Sequence, residues 1–176
     1  MGALISYITS LFTKPSRMLI LGLDSAGKTT ILYQIASGQA INTVPTVGFN
    51  MEELEYENIK FKVWDLGGQE ALRPYWSCYY NNTNAVIFVI DSCDKERIHM
   101  ARAELHKLAG EKELQNAVIA IFANKQDDEE HAMNVDDISK EMGLSELKHN
   151  TWSIFKTSGL TGEGLKDGMS WIASKM

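Results

Sequence analysis

The sequence predicts an α/β protein with a doubly wound, mostly parallel six-stranded sheet and helices on both faces. Three observations lead to this prediction. Short apolar segments typical of buried strands alternate with segments of helical periodicity along most of the 176 residues. A glycine-rich turn joins the first apolar segment to the first helical one. Two segments with alternating polarity flank Glu57-Asn58, which indicates a β-hairpin and therefore one antiparallel edge strand.

The individual elements are predicted from periodicity and from turn residues. In the first half they are a strand at 17–23, a helix at 30–36 with a stop at Ser37-Gly38, a mobile polar loop at 39–50, and hairpin strands at 49–56 and 59–64. In the second half they are strands at 85–90, 117–122 and 151–155, with helices at 95–108, 136–142 and 165–174. Gly143 closes the middle one of these helices.

The glycine-rich turn is a phosphate-binding motif. Residues 22–29 fit the pattern G-x-x-x-x-G-K-[ST] at every fixed position. An accidental glycine turn is the alternative, but a strand before the turn and a helix after it are the context that the motif requires. Backbone N–H groups and the helix N-terminus favour phosphate, Lys28 reaches the β- and γ-phosphates, and the Thr29 hydroxyl ligates Mg²⁺. The residues predicted to bind the nucleotide here are Asp24, Ser25, Ala26, Gly27, Lys28, Thr29 and Thr30.

Composition limits the possible partners. The net charge of −6 gives no overall electrostatic footprint for nucleic acid. The two cysteines, Cys78 and Cys93, have no metal-ligand companions at useful spacing, so we expect free thiols in a reducing compartment. No apolar run approaches the roughly 20 residues of a membrane-spanning helix. We therefore expect one nucleotide-binding domain at 15–176, monomeric in solution, behind a short N-terminal segment.

That N-terminal segment, 1–14, predicts an amphipathic membrane-binding helix. One apolar stripe is formed by Leu4, Ile5, Ile8, Leu11 and Phe12. Met1 to Ser6 fit the M-G-x-x-x-[ST] pattern, so Gly2 is a candidate for N-myristoylation. The alternative is a helix that docks permanently on the core, with a coincidental glycine.

Two strand ends carry further chemistry. After the third strand, Asp65-Leu66-Gly67-Gly68-Gln69 places a carboxylate to orient the Mg²⁺ shell, the Gly68 N–H to meet a γ-phosphate and Gln69 to orient the attacking water. After the fifth, Asn124-Lys125-Gln126-Asp127 resembles the guanine-specificity motif N-K-x-D of GTPases. The carboxylate of Asp127 can accept from both donors of guanine, a pair that adenine lacks. The alternative for this second motif is an ordinary strand-ending turn.

Taken together, the motifs resemble the ARF family of small GTPases from Gly2 to the closing helix. The most family-specific stretches are 22–30, Pro45-Thr46-Val47-Gly48-Phe49-Asn50 and 64–69. Arg73-Pro74-Tyr75-Trp76, Cys78-Tyr79-Tyr80, Asp91-Ser92-Cys93-Asp94 and 154–158 are more similar to the Golgi ARF-like subgroup than to the coat-recruiting ARFs.

The resemblance implies further roles. Thr46 supplies the second hydroxyl to Mg²⁺, and a backbone N–H of Ser158-Gly159 meets the base oxygen. Phe49, Trp64 and Tyr79 form an effector surface, for which ordinary core packing is the alternative. The hairpin slides when GTP binds and displaces the N-terminal helix. An exchange factor, an activating protein and effectors are the implied partners, and the implied location is the cytoplasm and the cytosolic face of the Golgi membrane, as a peripheral protein.

The chain departs from the family pattern at three places. Gly159 stands where the family usually has Ala, which keeps the N–H but loosens the loop. Asp128-Glu129-Glu130-His131 replaces a shorter, less acidic stretch, either as a solvated loop or as a metal site. The C-terminus lacks a prenylation cysteine, so any lipid is N-terminal.

These features favour a GDP/GTP switch that recruits effectors to membranes in vesicle traffic, with slow intrinsic GTP hydrolysis. The second hypothesis is a GTP-binding scaffold that never hydrolyses GTP, and the presence of Gln69 disfavours it. A phosphate-loop nucleoside kinase is the third. Such kinases need an arginine-rich lid, and the 17 Lys and Arg residues form no such cluster.

Overall fold

The computed structural model describes residues 15–40, 43–148 and 150–176. The predicted N-terminal helix and Gly2 lie outside the described residues. In the described part of the chain, no helix has the length and apolar character needed to cross a membrane.

The sheet is six-stranded with the order β2-β3-β1-β4-β5-β6. Its strands are β1 (Ser16–Leu21), β2 (Phe49–Tyr56), β3 (Ile59–Leu66), β4 (Ala85–Asp91), β5 (Val118–Asn124) and β6 (Trp152–Lys156). The helices are α1 (Lys28–Ser37), α2 (Ile98–Ala109), α3 (Val135–Glu141) and α4 (Leu165–Ala173). Among these six described strands, the β2–β3 pair is antiparallel and the other neighbouring pairs are parallel. The predicted fold class and the antiparallel edge strand are confirmed.

Two apolar layers explain why helices cover both faces. The inner strands β1, β4 and β5 are buried on both sides for most of their length, so alternate residues of each of them enter different cores. One core places Leu19, Phe88 and Ile121 against α2 and α3. The other places Ile20, Ile87 and Phe122 against α1 and α4. With both faces occupied, ligands reach the sheet at the carboxyl ends of its strands.

Several predicted boundaries shift for local reasons. Strand β1 stops at Leu21 because Gly22 has φ 143°, and a Cβ there would lie 2.2 Å from the Val89 carbonyl oxygen. Helix α1 ends as predicted, where Gly38 in the left-handed region donates its N–H to the Gln34 carbonyl. Helix α2 begins later than predicted, because the Asp94 carboxylate accepts from the Arg97 N–H in a turn before it.

In the described ranges, three 3₁₀ helices have no counterpart in the prediction, and two of them, Lys112–Leu114 and Leu144–Glu146, are only three residues long. The longest 3₁₀ helix, at Arg73–Tyr79, follows the loop after β3, with Pro74 in its first turn. Its buried residues are Arg73 and Trp76. This segment lacks the longer apolar period of an α-helix, so periodicity could not reveal it.

The tip of the β2–β3 hairpin is tied to α4. Glu57 and Asn58 both take positive φ, 48° and 65°, as a tight two-residue hairpin turn requires. The Tyr56 hydroxyl lies 2.8 Å from the Ser170 Oγ and 3.2 Å from the Lys166 carbonyl oxygen. The Ser170 hydroxyl in turn donates to the Glu57 carboxylate at 2.8 Å. The hairpin is therefore held at its tip as well as along its strands.

Candidate functional site

Loops that follow β1, β3, β5 and β6 meet at one end of the sheet. They enclose a cleft of about 310 Å³ between the phosphate motif and the loops around Thr46 and Gly68. An adjoining hollow of about 550 Å³ lies between Thr30, Asn124 and Asp127. The two spaces share Gly27, Thr30, Thr43 and Lys125, so they form one continuous groove. A parallel sheet brings such loops together because its strands all end at the same edge.

The phosphate motif curls tightly at the mouth of α1. Gly27 has φ 95°, and a Cβ there would lie 2.4 Å from the Asn124 Nδ2, so only glycine fits. Helix α1 begins at the next residue, so its first N–H groups face the cleft. The Lys28 side chain is buried, and its Nζ donates to the Leu23 carbonyl at 2.8 Å. Burial lowers the pKa of Lys28 to about 8, although Asp65 and Asp24 favour its charged form.

Three oxygen-bearing side chains converge beneath this loop. The Thr29 hydroxyl donates to the Asp65 Oδ2 at 2.5 Å and lies 2.9 Å from the Thr46 Oγ1. The Thr46 hydroxyl is also 3.4 Å from the same carboxylate oxygen. Burial raises the pKa of Asp65 above its ordinary value, against the effect of the Thr29 hydrogen bond. The other carboxylate oxygen, Oδ1, is buried and has no hydrogen-bond partner among the residues that the structure describes.

The Gly67-Gly68 pair approaches the phosphate loop closely. A Cβ on Gly68 would lie 2.4 Å from the Gly22 carbonyl oxygen and 2.5 Å from the Asp24 nitrogen. Two side chains of the 3₁₀ helix hold the adjacent carbonyls. Trp76 donates from Nε1 to Gly67, and Arg73 from Nε to Gly68, each at 2.9 Å.

Gln69 comes next along the chain and is exposed at the edge of the cleft. Its side chain is therefore accessible to a molecule bound there.

Asp24 belongs to a cluster of charged side chains that the sequence did not predict. Its carboxylate contacts Arg97 at 3.1 Å and Arg73 at 3.5 Å. These arginines lie 73 and 49 positions from Asp24 in the chain. No local pattern could have paired residues at such separations.

At the other end of the groove, Asn124 joins two loops. Its Nδ2 donates to the Ala26 carbonyl, and its Oδ1 accepts from the Gly159 N–H, both at 2.8 Å. The Gly159 N–H, one of the two that could meet a base oxygen, therefore already has a partner. A bound base would have to share or displace that partner. A Cβ on Gly159 would lie 3.0 Å from the Ile31 Cγ1, so this chain has little room for the alanine usual in the family.

Asp127 and Lys125 project from the same loop. Asp127 is exposed, and its Oδ1 accepts from the Ser158 hydroxyl at 2.5 Å. This side-chain contact was not predicted. Lys125 is fixed by Asp91, whose Oδ2 lies 2.6 Å from its Nζ. The remaining edge of Asp127 faces the hollow.

The acidic stretch 128–131 forms a turn in which the His131 Nδ1 lies 2.8 Å from the Asp128 Oδ1. Within the described ranges, no group of three metal-ligating side chains is found, there or elsewhere. Cys93 lies beside Asp91 and Asp128, and burial and these charges raise the pKa of its thiol. Its thiolate is therefore disfavoured.

Outside the cleft, Phe49, Trp64 and Tyr79 contact one another. Their ring centroids are 5.2, 5.6 and 5.7 Å apart. The Arg17 guanidinium lies 4.7 Å from the centre of the Trp64 ring and donates to the Tyr79 carbonyl. Phe49 is 51% exposed, whereas the other two rings are partly buried against the core. The cluster is thus half surface and half core.

Comparison with known proteins agrees with this architecture. A family model described as the ADP-ribosylation factor family matches residues 4–176. ADP-ribosylation factor-like protein 1 of Caenorhabditis elegans is 50% identical over all of this chain and 98% of its own length. The protein of that name in Saccharomyces cerevisiae is 54% identical over 90% of this chain and 86% of its own.

A solved structure gives the same result for the fold. The Arl6 BBS3 small GTPase from Trypanosoma brucei, with the bound nucleotide analogue GppNp, is similar to this chain with a TM-score of 0.84. It is 31% identical, and the match covers 92% of this chain and 96% of that one. The relatives from Caenorhabditis elegans and Saccharomyces cerevisiae both carry an ARF-like name, as the motif resemblance predicts. This chain belongs to the ADP-ribosylation factor family of small GTPases.

Proposed function

We propose that the chain is a GDP/GTP switch that recruits effectors to membranes in vesicle traffic, at the cytosolic face of the Golgi. The observation that carries this proposal is the convergence of Thr29, Thr46 and Asp65 under the phosphate loop. These residues come from three separate segments of the chain. A γ-phosphate and its metal would hold the loop around Thr46 and the loop after β3 against the phosphate loop, and hydrolysis would release them.

The residues present fit a magnesium ion. Hydroxyl and carboxylate oxygens are its preferred protein ligands, and the buried, unpartnered Oδ1 of Asp65 is free to hold a metal-bound water. Thr29 and Thr46 would be direct ligands and Asp65 an outer one. Mg²⁺ would neutralise charge on the β- and γ-phosphates. Its positive charge would also lower the pKa of Asp65, which burial now raises.

Guanine specificity is assigned to Asp127. Its carboxylate is exposed to the hollow, and Ser158 holds one of its oxygens. Such a pre-oriented carboxylate would accept from the two donors on one edge of guanine. Adenine would leave it unpaired, and an unpaired polar group in a closed site is costly. Asn124 would fix the distance between this loop and the phosphate loop.

Hydrolysis requires a water positioned opposite the leaving group, a role we give to Gln69. The two arginines that contact the walls of the cleft are already engaged, since Arg73 binds the Gly68 carbonyl and Arg97 binds Asp24 and Asp94. Neither is free to stabilise charge that develops on the γ-phosphate. We therefore expect slow intrinsic turnover and an arginine supplied by an activating protein.

Effector binding is assigned to the cluster of Phe49, Trp64 and Tyr79. It connects β2, β3 and the 3₁₀ helix at Arg73–Tyr79, so it spans the elements next to the loops that carry Thr46 and Gly68. A shallow groove of about 230 Å³ beside it is lined by apolar side chains that include Leu66 and Tyr75. A change in either loop would alter this surface.

Membrane attachment is assigned to residues 1–14 through the apolar stripe and a myristoyl group on Gly2. A single myristoyl chain binds membranes only marginally, at about 10⁴ M⁻¹, so the stripe would serve as the required second signal. If GTP favours the membrane-bound form, linkage demands that membranes favour GTP equally.

The first test identifies the nucleotide. Purified protein is extracted and its nucleotide identified by mass, and phosphate release is then followed with and without an ARF-directed activating protein. We expect guanine nucleotide and stimulated turnover that Gln69→Leu abolishes without loss of GTP binding. Bound adenine nucleotide would refute guanine specificity, and absence of stimulated turnover would favour the scaffold alternative.

The second test measures membrane coupling. Myristoylated full-length protein loaded with GDP or with a non-hydrolysable GTP analogue is sedimented with liposomes. We expect preferential binding of the GTP form, and faster exchange of GDP for GTP when liposomes are present. Equal sedimentation of the two forms would leave the segment a constitutive anchor.

A further inference from the structure

An acidic side chain stands at the phosphate end of the cleft. Asp24 is half-buried and lines the same cleft as Lys28 and Gly68. Partial burial raises the pKa of its carboxyl, but the hydrogen bond and charge of Arg97, with the charge of Arg73, outweigh burial and lower it. Asp24 is therefore ionised at neutral pH, next to the place where a γ-phosphate would bind.

Arg97 contacts both the carboxylate and the backbone of Asp24. Its Nη1 contacts the Asp24 Oδ2 at 3.1 Å and its Nη2 donates to the Asp24 carbonyl at 3.2 Å. Arg97 is itself fixed by Asp94, at 2.6 Å from Nε. Two contacts of one planar guanidinium thus set both the backbone and the side chain of Asp24, and a third contact anchors that guanidinium to Asp94.

Arg73 also contacts the Asp24 carboxylate, but it makes other contacts as well. It is buried, donates to the Gly68 carbonyl, and lies 3.7 Å from Glu104 on α2. Its removal would disturb the core and the Gly68 loop together. Arg97 is about one-third exposed, and its contacts with acidic groups are to Asp24 and Asp94. Arg97 is therefore the residue whose removal isolates the effect on Asp24.

We propose that Arg97 is a positioning residue for the γ-phosphate, which holds and neutralises the Asp24 carboxylate so that the cleft accepts GTP. This inference rests on the proposed function. GDP lacks the γ-phosphate, so an uncompensated carboxylate at this place penalises GTP more than GDP. Arg97 thereby sets the preference between the two nucleotides without touching either of them.

The test compares dissociation rates of fluorescent GDP and a fluorescent non-hydrolysable GTP analogue from the full-length protein. The variants are Arg97→Gln, Arg97→Lys, Asp24→Asn and the double variant Arg97→Gln/Asp24→Asn. The control is Arg102→Gln, which removes an arginine of α2 that pairs with Glu146 at 2.8 Å on the surface. Thermal unfolding of each GDP-bound variant reports on folding.

We expect Arg97→Gln to speed release of the GTP analogue by about 10-fold relative to release of GDP. Asp24→Asn in the same chain should return that ratio to within about twofold of the wild type, because the repelling charge is gone. Arg97→Lys should keep part of the selectivity, and Arg102→Gln should leave the ratio unchanged.

Equal acceleration of both nucleotides by Arg97→Gln would mean that Arg97 only supports the loop, and would overturn the inference. Failure of Asp24→Asn to restore the ratio would overturn it too. Wild-type protein that binds no guanine nucleotide would overturn the proposed function, and this inference with it.

Discussion

Substitution of Gly68 by alanine should separate GTP binding from GDP binding. The added Cβ would stand 2.4 Å from the Gly22 carbonyl oxygen and 2.5 Å from the Asp24 nitrogen. Both are backbone atoms of the phosphate loop, so neither can turn aside as a flexible side chain would. The loop after β3 must therefore withdraw from the phosphate loop in this variant.

The size of the effect follows from the contacts that withdrawal breaks. The Gly68 carbonyl accepts from the Asp24 N–H at 3.2 Å, and the Arg73 guanidinium of the same loop segment contacts the Asp24 carboxylate at 3.5 Å. A neutral hydrogen bond contributes about 1 kcal/mol and a charged one about 1.5–3 kcal/mol. Their loss amounts to roughly 2–4 kcal/mol, or about 30- to 1,000-fold in affinity for GTP.

Equilibrium titration with fluorescent GDP and a non-hydrolysable GTP analogue measures this difference. We expect weaker GTP binding and GDP binding within about twofold of the wild type, because the proposed partner of the Gly68 N–H is the γ-phosphate, which GDP lacks. Gly110→Ala is the matched control, since its φ is −82° and a Cβ there meets the Lys107 carbonyl only at 3.4 Å. Equal loss of both nucleotides, or unchanged GTP binding, would refute the reasoning.

Three further predictions concern other parts of the site. Asp127→Asn should weaken GTP binding by roughly 2–4 kcal/mol. It should improve the binding of xanthosine triphosphate, in which a donor and an acceptor are exchanged at the base edge that faces residue 127, and competition binding would measure both effects. Tyr79→Ala should impair capture of effectors without changing nucleotide affinity, and a loss of folding in thermal melts would favour the core role instead. Because burial lowers the pKa of Lys28 to about 8 from 10.5, nucleotide phosphates should restore its charge above that pH. GDP binding at pH 9 should therefore take up a proton and weaken as pH rises, and calorimetry in buffers of different ionisation enthalpy would contradict this if it found no uptake.

The sheet and its helices could be predicted because each signal is local. The hairpin strand at 49–56 agrees with β2 at both ends, since alternation and the Glu57-Asn58 turn act within a few residues. Motif positions are also local, and the sheet topology then brings the strand ends together. The family follows from such motifs, and the family model confirms it.

Contacts between distant segments could not be predicted in this way. Nothing in the sequence links Asp24 to Arg97 until β1 and β4 pair, or Asp127 to the Ser158 hydroxyl until β5 and β6 pair. The 3₁₀ helix at Arg73–Tyr79 was missed for another reason. It is fixed by the Arg73 and Trp76 contacts with glycine carbonyls rather than by an intrinsic preference of its residues.

The pairing of β3 with β1 makes any sliding of the hairpin all-or-none. Phe61 and Val63 enter one core, whereas Lys62 and Trp64 point to the other face. A shift by one residue would exchange these faces and drive Lys62 into the core, so the smallest tolerated step is two residues, about 6.6 Å. A step of that length would carry Tyr56 and Glu57 away from Ser170 and break all the contacts at the tip at once. If the hairpin slides, we therefore expect it to move between discrete registers, with no stable intermediate between them.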